Sequence, residues 1–193
     1  MKKENKITFG LKNVHIAPIT ELNPDTNVLN YGEIFRFPGA MNLELEAKGE
    51  SGALQADDID YHFTNSNEGY DGKLKIPHVI EEFATKILGE IKDSETGVLT
   101  EKSDAKITPF AIMFEFDGDK SKTRFVFYYC FASRPSSGSA TKNGTNTNER
   151  ELNFKASPRP LDSVIRRYIT SNDKKEVYDG WYKKVYEPNA VGI

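Results

Sequence analysis

Cysteine, histidine, long apolar runs and an excess of positive charge are all scarce in this sequence, and each scarcity excludes something. Cys130 is the only cysteine, so the chain can form no internal disulfide and offers no cysteine set for a metal. It stands in an aromatic run and reads as a small buried apolar residue. The three histidines, His15, His62 and His78, lie in unrelated segments with no i,i+2 or i,i+4 pair, whereas a zinc site needs convergent ligands. No stretch approaches the roughly 20 apolar residues that cross a bilayer as a helix, and no membrane association is expected. The start, Met1-Lys2-Lys3-Glu4-Asn5-Lys6, is charged and no apolar segment follows, so it does not read as a signal peptide. Asn143-Gly144-Thr145 has glycosylation spacing, which means nothing without such a signal. Acidic residues number 29 against 26 basic, for a net charge of −3. A protein that grips phosphates shows the opposite balance or a basic stripe.

Catalytic patterns are missing as well. There is no Gly-x-Ser-x-Gly elbow and no Gly-x-x-x-x-Gly-Lys-Thr phosphate loop. Asp57-Asp58-Ile59-Asp60 is the densest acidic cluster. It could hold a cation, but it reads more simply as a turn leading into a strand. Asp117-Gly118-Asp119 reads as a hairpin turn. The expectation is a protein that is not an enzyme and that needs no cofactor and no metal.

What the sequence does contain is aromatic residues and alternation. Twelve Phe and nine Tyr offset the low aliphatic content, because each ring buries a large area. Leu11, Val14 and Ile16 suggest a first strand, with Pro18 marking an edge or an end because proline has no ladder donor. Met41, Leu43, Leu45 and Ala47 alternate with Asn42, Glu44, Glu46 and Lys48, the period of a strand with one buried and one wet face. Phe110, Ile112, Phe114 and Phe116 form one strand, and Phe125, Phe127, Tyr129 and Phe131 form the next. The polar loop between them makes a hairpin. The second of these strands is apolar on both faces, which predicts a central strand covered twice. Leu152 and Phe154 alternate with Glu149, Glu151 and Asn153.

Ile80, Phe83, Ala84, Ile87 and Leu88 fall on one helical face, predicting a helix from Pro77 to Gly89 that lies across a sheet. A further strand over 161–169 and a short helix within 173–186 are expected. The chain reads as one domain, 1–193, with long loops at about 20–38 and 134–147 and a C-terminal extension over about 171–193. The fold class is mainly β: two packed antiparallel sheets flanked by one helix. The loop over 20–38 is unusually apolar, with Val28, Leu29, Tyr31, Ile34, Phe35 and Phe37. Such a loop packs either on its own domain or on a neighbouring subunit.

Several stretches, in matching order, resemble the major tail protein family of long-tailed phages (siphophages) and related prophages. They are Ile7 to Ile19, Phe37-Pro38-Gly39-Ala40-Met41-Asn42-Leu43, Ala53 to Asp58, Gly69-Tyr70-Asp71-Gly72-Lys73-Leu74, Phe110 to Glu115, and Tyr128 to Pro135. The resemblance covers about residues 7–170. It implies the tail-tube fold, with subunits in hexameric rings stacked into a tube through which DNA passes without specific binding. It also implies tape-measure, tail-completion and baseplate proteins as partners, location in the virion tail, and assembly in the host cytoplasm. In that setting the wet residues Glu44, Glu46, Glu149 and Glu151 are candidates for the tube lining. The apolar loop Val28 to Phe37 is a candidate contact between subunits. A β-sandwich binding or adhesion module of a virion, and a tail terminator or connector forming a single ring, remain alternative readings.

Overall fold

The structure is a computed structural model that describes residues 9–26, 28–56, 59–135 and 149–188, with the backbone alone for 51–56 and 59–65. In chain order it contains β1 (Leu11–Asn23), β2 (Val28–Tyr31), β3 (Phe35–Arg36), β4 (Asn42–Lys48), β5 (Ser51–Ala56), β6 (Ile59–Asn65) and β7 (Gly69–Ile76). Helix α1 (Glu81–Lys86), β8 (Ile91–Lys92), β9 (Leu99–Thr100), β10 (Phe110–Phe116) and β11 (Arg124–Ala132) follow. The chain then forms β12 (Arg150–Ala156), β13 (Arg166–Ile169) and α2 (Lys175–Gly180).

The fold is mainly β and antiparallel. Nine strands form one sheet, ordered β2-β1-β10-β11-β12-β7-β4, with β13 and β3 attached to β11 and β1. The two expected layers are branches of this one sheet. Along one edge β11 pairs with β10; along the other, Arg124–Phe127 pairs with β13 while Cys130–Ala132 pairs with β12. Beyond that fork the β12-β7-β4 branch curls over the β1-β10-β11 branch. Tyr70 of β7 therefore meets Phe127 of β11 edge-to-face at 5.3 Å, although β12 lies between their strands.

The space enclosed by the curl is the main core. It is filled by Phe110, Ile112, Phe114, Phe127, Leu74, Leu152 and Phe154, and closed by Phe83, Ile87 and Leu88 at α1. The helix is shorter than its periodicity predicts. Ile80 is extended and forms the N-cap, and Ile87 is the C-cap. The apolar face is kept, because Phe83, Ala84, Ile87 and Leu88 are all buried. The opposite face of β10-β11 carries a second cluster: Ala111, Met113, Val126 and Tyr128, covered by Ile169, Trp181 and Val185. The double coverage expected of β11 is thus present, and Cys130 is buried within the main core.

Two expectations are corrected. The segment 20–38 is not a loop: β1 runs on to Asn23 and pairs back with β2, while β3 pairs with His15 and Ile16. Of the two readings of Pro18, the end is not the one found, since β1 continues to Asn23. The Pro18 carbonyl accepts from the Gly32 amide, so its missing N–H faces the same outer side, in the gap between β3 and β2, where no ladder donor is needed. After α1 the chain forms the β8–β9 hairpin, Ile91 facing Thr100 and Lys92 facing Leu99. Asp57, Asp58, Asn143-Gly144-Thr145 and most of the loop over 134–147 lie outside the described residues.

One packing detail has a measurable consequence. Gly72 sits across from Phe154 in the β7–β12 ladder, and a Cβ there would fall 2.2 Å from the Phe154 ring. Gly72→Ala should lower stability by about 1–3 kcal/mol through overpacking, read as a lower urea midpoint at unchanged m-value. Adding Phe154→Leu should recover part of the loss. A Gly72→Ala chain as stable as the parent would contradict this packing.

Candidate functional site

The wet face of the β4-β7-β12 branch holds the acids singled out in the sequence. Across β4 and β7, Asn42 faces Lys75, Glu44 faces Lys73 and Glu46 faces Asp71. Across β7 and β12, Lys75 faces Glu151, Lys73 faces Asn153 and Asp71 faces Lys155. Directly opposed residues of an antiparallel pair share a face. Glu44, Glu46 and Glu151 therefore lie in one surface, and Glu149 lies just before β12.

That surface is not simply acidic. Glu44, Glu46, Asp71 and Glu151 are matched by Lys48, Lys73, Lys75 and Lys155, four acids to four bases, for a net charge of zero. Lys48 bridges Glu46 at 3.2 Å and Asp71 at 3.3 Å. The balance is hidden along the chain because Lys73 and Lys75 belong to β7, the strand inserted between the two acidic ones.

The apolar segment 28–37 divides. Phe35 and Phe37 are 5% and 2% exposed and belong to the main core. Tyr31 and Ile34 pack against the second cluster. Val28 and Leu29, in β2 near the hairpin tip, are half-exposed. Phe35 and Phe37 are thus spent inside the subunit, and the part of the segment free to meet a neighbour narrows to Val28 and Leu29.

The arginine contacts that hold the C-terminal segment in place are not visible along the chain. Arg159, only 5% exposed, donates from Nε to Asp162 Oδ1 at 2.8 Å and from Nη2 to Oδ2 at 2.5 Å, and it also donates to Glu187. Its guanidinium stacks on the Tyr128 ring at 4.7 Å, and Arg167 lies over the same ring at 5.2 Å. The Tyr128 hydroxyl donates to the Tyr186 carbonyl at 2.6 Å. At the other end of the segment, Arg124 Nε pairs with Glu115 at 3.0 Å, and the guanidinium sits 3.8 Å from the Tyr178 ring centre. Between these two arginines Trp181 is 2% exposed, with its indole N–H donating to the Phe125 carbonyl at 3.3 Å. The visible signal was the i,i+4 pair Trp181 and Val185; the arginine partners are brought together only by the sheet.

Burial and charge explain the shifted groups here. Desolvation disfavours the charged Arg159, but Asp162, Glu187 and Tyr31 outweigh it and hold the proton more firmly than usual. The Arg159 contact holds the Asp162 carboxyl below its ordinary range. Burial pushes the Tyr128 phenol up to about 12, so it stays a neutral donor.

Elsewhere the chemistry is structural. His15 is half-buried, stacks on Tyr182 at 4.5 Å and contacts the Asn13 carbonyl through Nδ1; burial lowers its proton affinity. Burial raises that of the Cys130 thiol. Among the described residues no group of three His, Cys, Asp or Glu side chains is placed to hold a metal, and no helix is long and apolar enough to cross a membrane.

Two outcomes follow for the C-terminal segment. Arg159→Met should cost about 2–3 kcal/mol, since it removes charge-assisted hydrogen bonds while leaving Asp162 and Glu187 partly solvated. Trp181 is the only tryptophan, so its emission should shift to the red at a lower denaturant concentration than that of the parent. Acid should act on the same contact. The depressed Asp162 contributes stability above the ordinary carboxylate pKa of about 4 and loses it as pH falls through the lower folded value. Trp181 emission should therefore hold steady from neutrality to about pH 4 and redden below it. A shift beginning near pH 6 would point to a histidine instead.

No family model matches the sequence, and no curated protein matches it. Several solved structures share its outline. One is the tube-terminating cap of the anti-feeding prophage, 7% identical over 89% of this chain and 97% of that chain, with a TM-score of 0.48. Another is the sheath–tube complex, in the extended state, of an extracellular contractile injection system named PVC, 10% identical over 85% and 94%, also at 0.48. At that distance neither likeness carries weight for function.

Proposed function

We propose that this chain is a structural tail protein of a phage or phage-like particle. More specifically, we read it as a tube subunit that assembles with copies of itself into stacked rings, six to a ring by the resemblance. The observation that carries this reading is the free edge of β4. It is seven residues long and the last strand of the sheet, and its register with β7 is unbroken. Among the described residues nothing pairs with its outer side. Edge strands of proteins that stay monomeric are blunted by bulges, prolines, brevity or charged side chains; β4 has no bulge, no proline and full length, and its only such device is the charge of Glu44, Glu46 and Lys48.

The ladder also continues past the sheet. The Glu68 amide donates to the Lys48 carbonyl and the Ser66 amide to the Glu50 carbonyl, linking β4-β7 to the β5-β6 ribbon. Gly49 allows the close approach at that joint, since a Cβ there would fall 2.0 Å from the Ser66 carbonyl oxygen. Pairing β4 with an edge of the next subunit would close the curled branches into a barrel and leave no open edge. The wet β4-β7-β12 face would then line the lumen. A charge-balanced lining suits passage of DNA, because it neither binds phosphates as a basic wall would nor adds a strong repulsive field. Tape-measure, tail-completion and baseplate proteins are the partners this reading implies.

Negative-stain microscopy of the purified protein at high concentration tests it. Hollow tubes are the expected result. Isolated rings would favour a terminator, and monomers that persist even with an assembly initiator would favour a binding module. Glu44→Lys with Glu46→Lys takes the face from zero to about +4 per subunit. Tubes should still form, but DNA ejection through them should slow severalfold. Unchanged ejection would place that face outside the lumen.

A further inference from the structure

The β8–β9 hairpin presents apolar side chains to solvent in a built, not a frayed, conformation. Asp93 Oδ1 accepts from the Glu95 and Thr96 amides at 2.9 and 2.7 Å, and the Asp93 amide donates to the Val98 carbonyl at 2.9 Å. Ile91 pairs with Thr100, and Val98, two residues before Thr100, shares its face. These two residues are 52% and 58% exposed. The surrounding segment 90–102 is acidic: Glu90, Asp93, Glu95 and Glu101 against Lys92 and Lys102.

The complement lies elsewhere on the same molecule. A hollow of about 490 Å³ is lined by Tyr168, Val177 and Trp181 and by Arg166, Arg167, Lys174 and the acid Asp173; Arg167 also lies 3.8 Å from Glu187 and Lys174 3.6 Å from Glu176. Tyr168 is 62% exposed. Segment 166–175 carries Arg166, Arg167, Lys174 and Lys175 against the single acid Asp173.

The two patches sit at opposite ends of β11. The hairpin is tied to the C-terminal end, where Arg134 pairs with Glu101 at 3.0 Å and donates to the Lys102 carbonyl at 3.3 Å. The hollow is built on β13, which pairs with the N-terminal stretch Arg124–Phe127. Nine residues of strand separate them by about 30 Å at roughly 3.3 Å per residue.

We propose that the hairpin face formed by Ile91 and Val98 docks into the Tyr168–Val177–Trp181 hollow of a second copy of this chain. Apolar centre meets apolar centre, and the acidic surround meets the cationic rim. Because the patches are different surfaces at opposite ends of one strand, the contact is head-to-tail. It propagates from copy to copy instead of closing as a symmetric dimer. The identity of the partner rests on the assembly reading above; the pairing of these two patches goes beyond it.

Cross-linking tests the contact with the full chain. Cys130 is fully buried, so new surface cysteines are the reactive ones. A chain carrying both Val98→Cys and Tyr168→Cys, treated with a short bis-maleimide at assembling concentration, should give a ladder of multimers. Each single variant alone should give no cross-linked dimer, and an equal mixture of the two should give dimers and nothing larger. Ile91→Glu added to the double variant, which leaves both cysteines in place, should abolish the ladder.

Dimers from the Val98→Cys variant alone would mean a symmetric hairpin-to-hairpin contact and overturn the proposal. Tubes in the microscope without a ladder would overturn it while leaving the tube reading intact. A ladder without tubes would uphold the contact and sink the tube reading. Neither tubes nor ladder would overturn both.

Discussion

Strands β10 and β11 carry apolar side chains on both faces, and a strand pair of that kind needs two covers. The rest of the structure follows from meeting that demand. One cover comes from the sheet itself, which forks at β11 and curls so that Leu74, Leu152 and Phe154 close over Phe110, Phe114 and Phe127, with α1 sealing the side. The other comes from the chain end, where Trp181 and Val185 lie over Met113, Val126 and Tyr128. That second cover is small. It is held at both ends by arginines whose guanidinium planes stack on tyrosines while their N–H groups reach carboxylates. Arginine suits this place because the flat cation can stack and donate at once.

With both faces of the central pair occupied inside one subunit, the association proposed above has to use what remains. That is the wet β4-β7-β12 face, the free β4 edge, Val28 and Leu29, the Ile91–Val98 face of β8–β9 and the hollow beside Tyr168. These surfaces differ in kind. An edge supplies backbone hydrogen bonds, which are sequence-independent and set geometry. A small apolar patch with a charged surround supplies selectivity. A balanced charged face stays in water. A subunit divided in this way can join copies of itself without exposing core residues before it meets them.

The fold was legible where one strand or helix decides the pattern. The alternation of Met41 to Lys48, the double-sided β11, the hairpin at Asp117 and the apolar face of α1 can all be read along the chain. Features that depend on a neighbouring strand could not be. The Glu44 and Glu46 face looked acidic until β7 placed Lys73 and Lys75 beside it. The apolar segment after Asn23 looked like a loop because its two strands are short, and Phe35 and Phe37 reach the core only through pairing with His15 and Ile16. Pro18 could mark an edge or an end, because its tolerance depends on a gap between β2 and β3. Arg159 and Asp162 lie three residues apart, but Glu187 and Tyr128 reach Arg159 only through the packing of the C-terminal segment on β11, and no local period announces that.

The free β4 edge can be watched directly by amide hydrogen exchange, comparing β4 in the unassembled subunit and in the assembled particle. Backbone N–H groups on the outer side of β4 should exchange quickly in the free subunit and become strongly protected on assembly, while those bonded to β7 change little. Equal exchange of the outer amides in both states would show that β4 remains an unpaired edge and would contradict the account of how these subunits join.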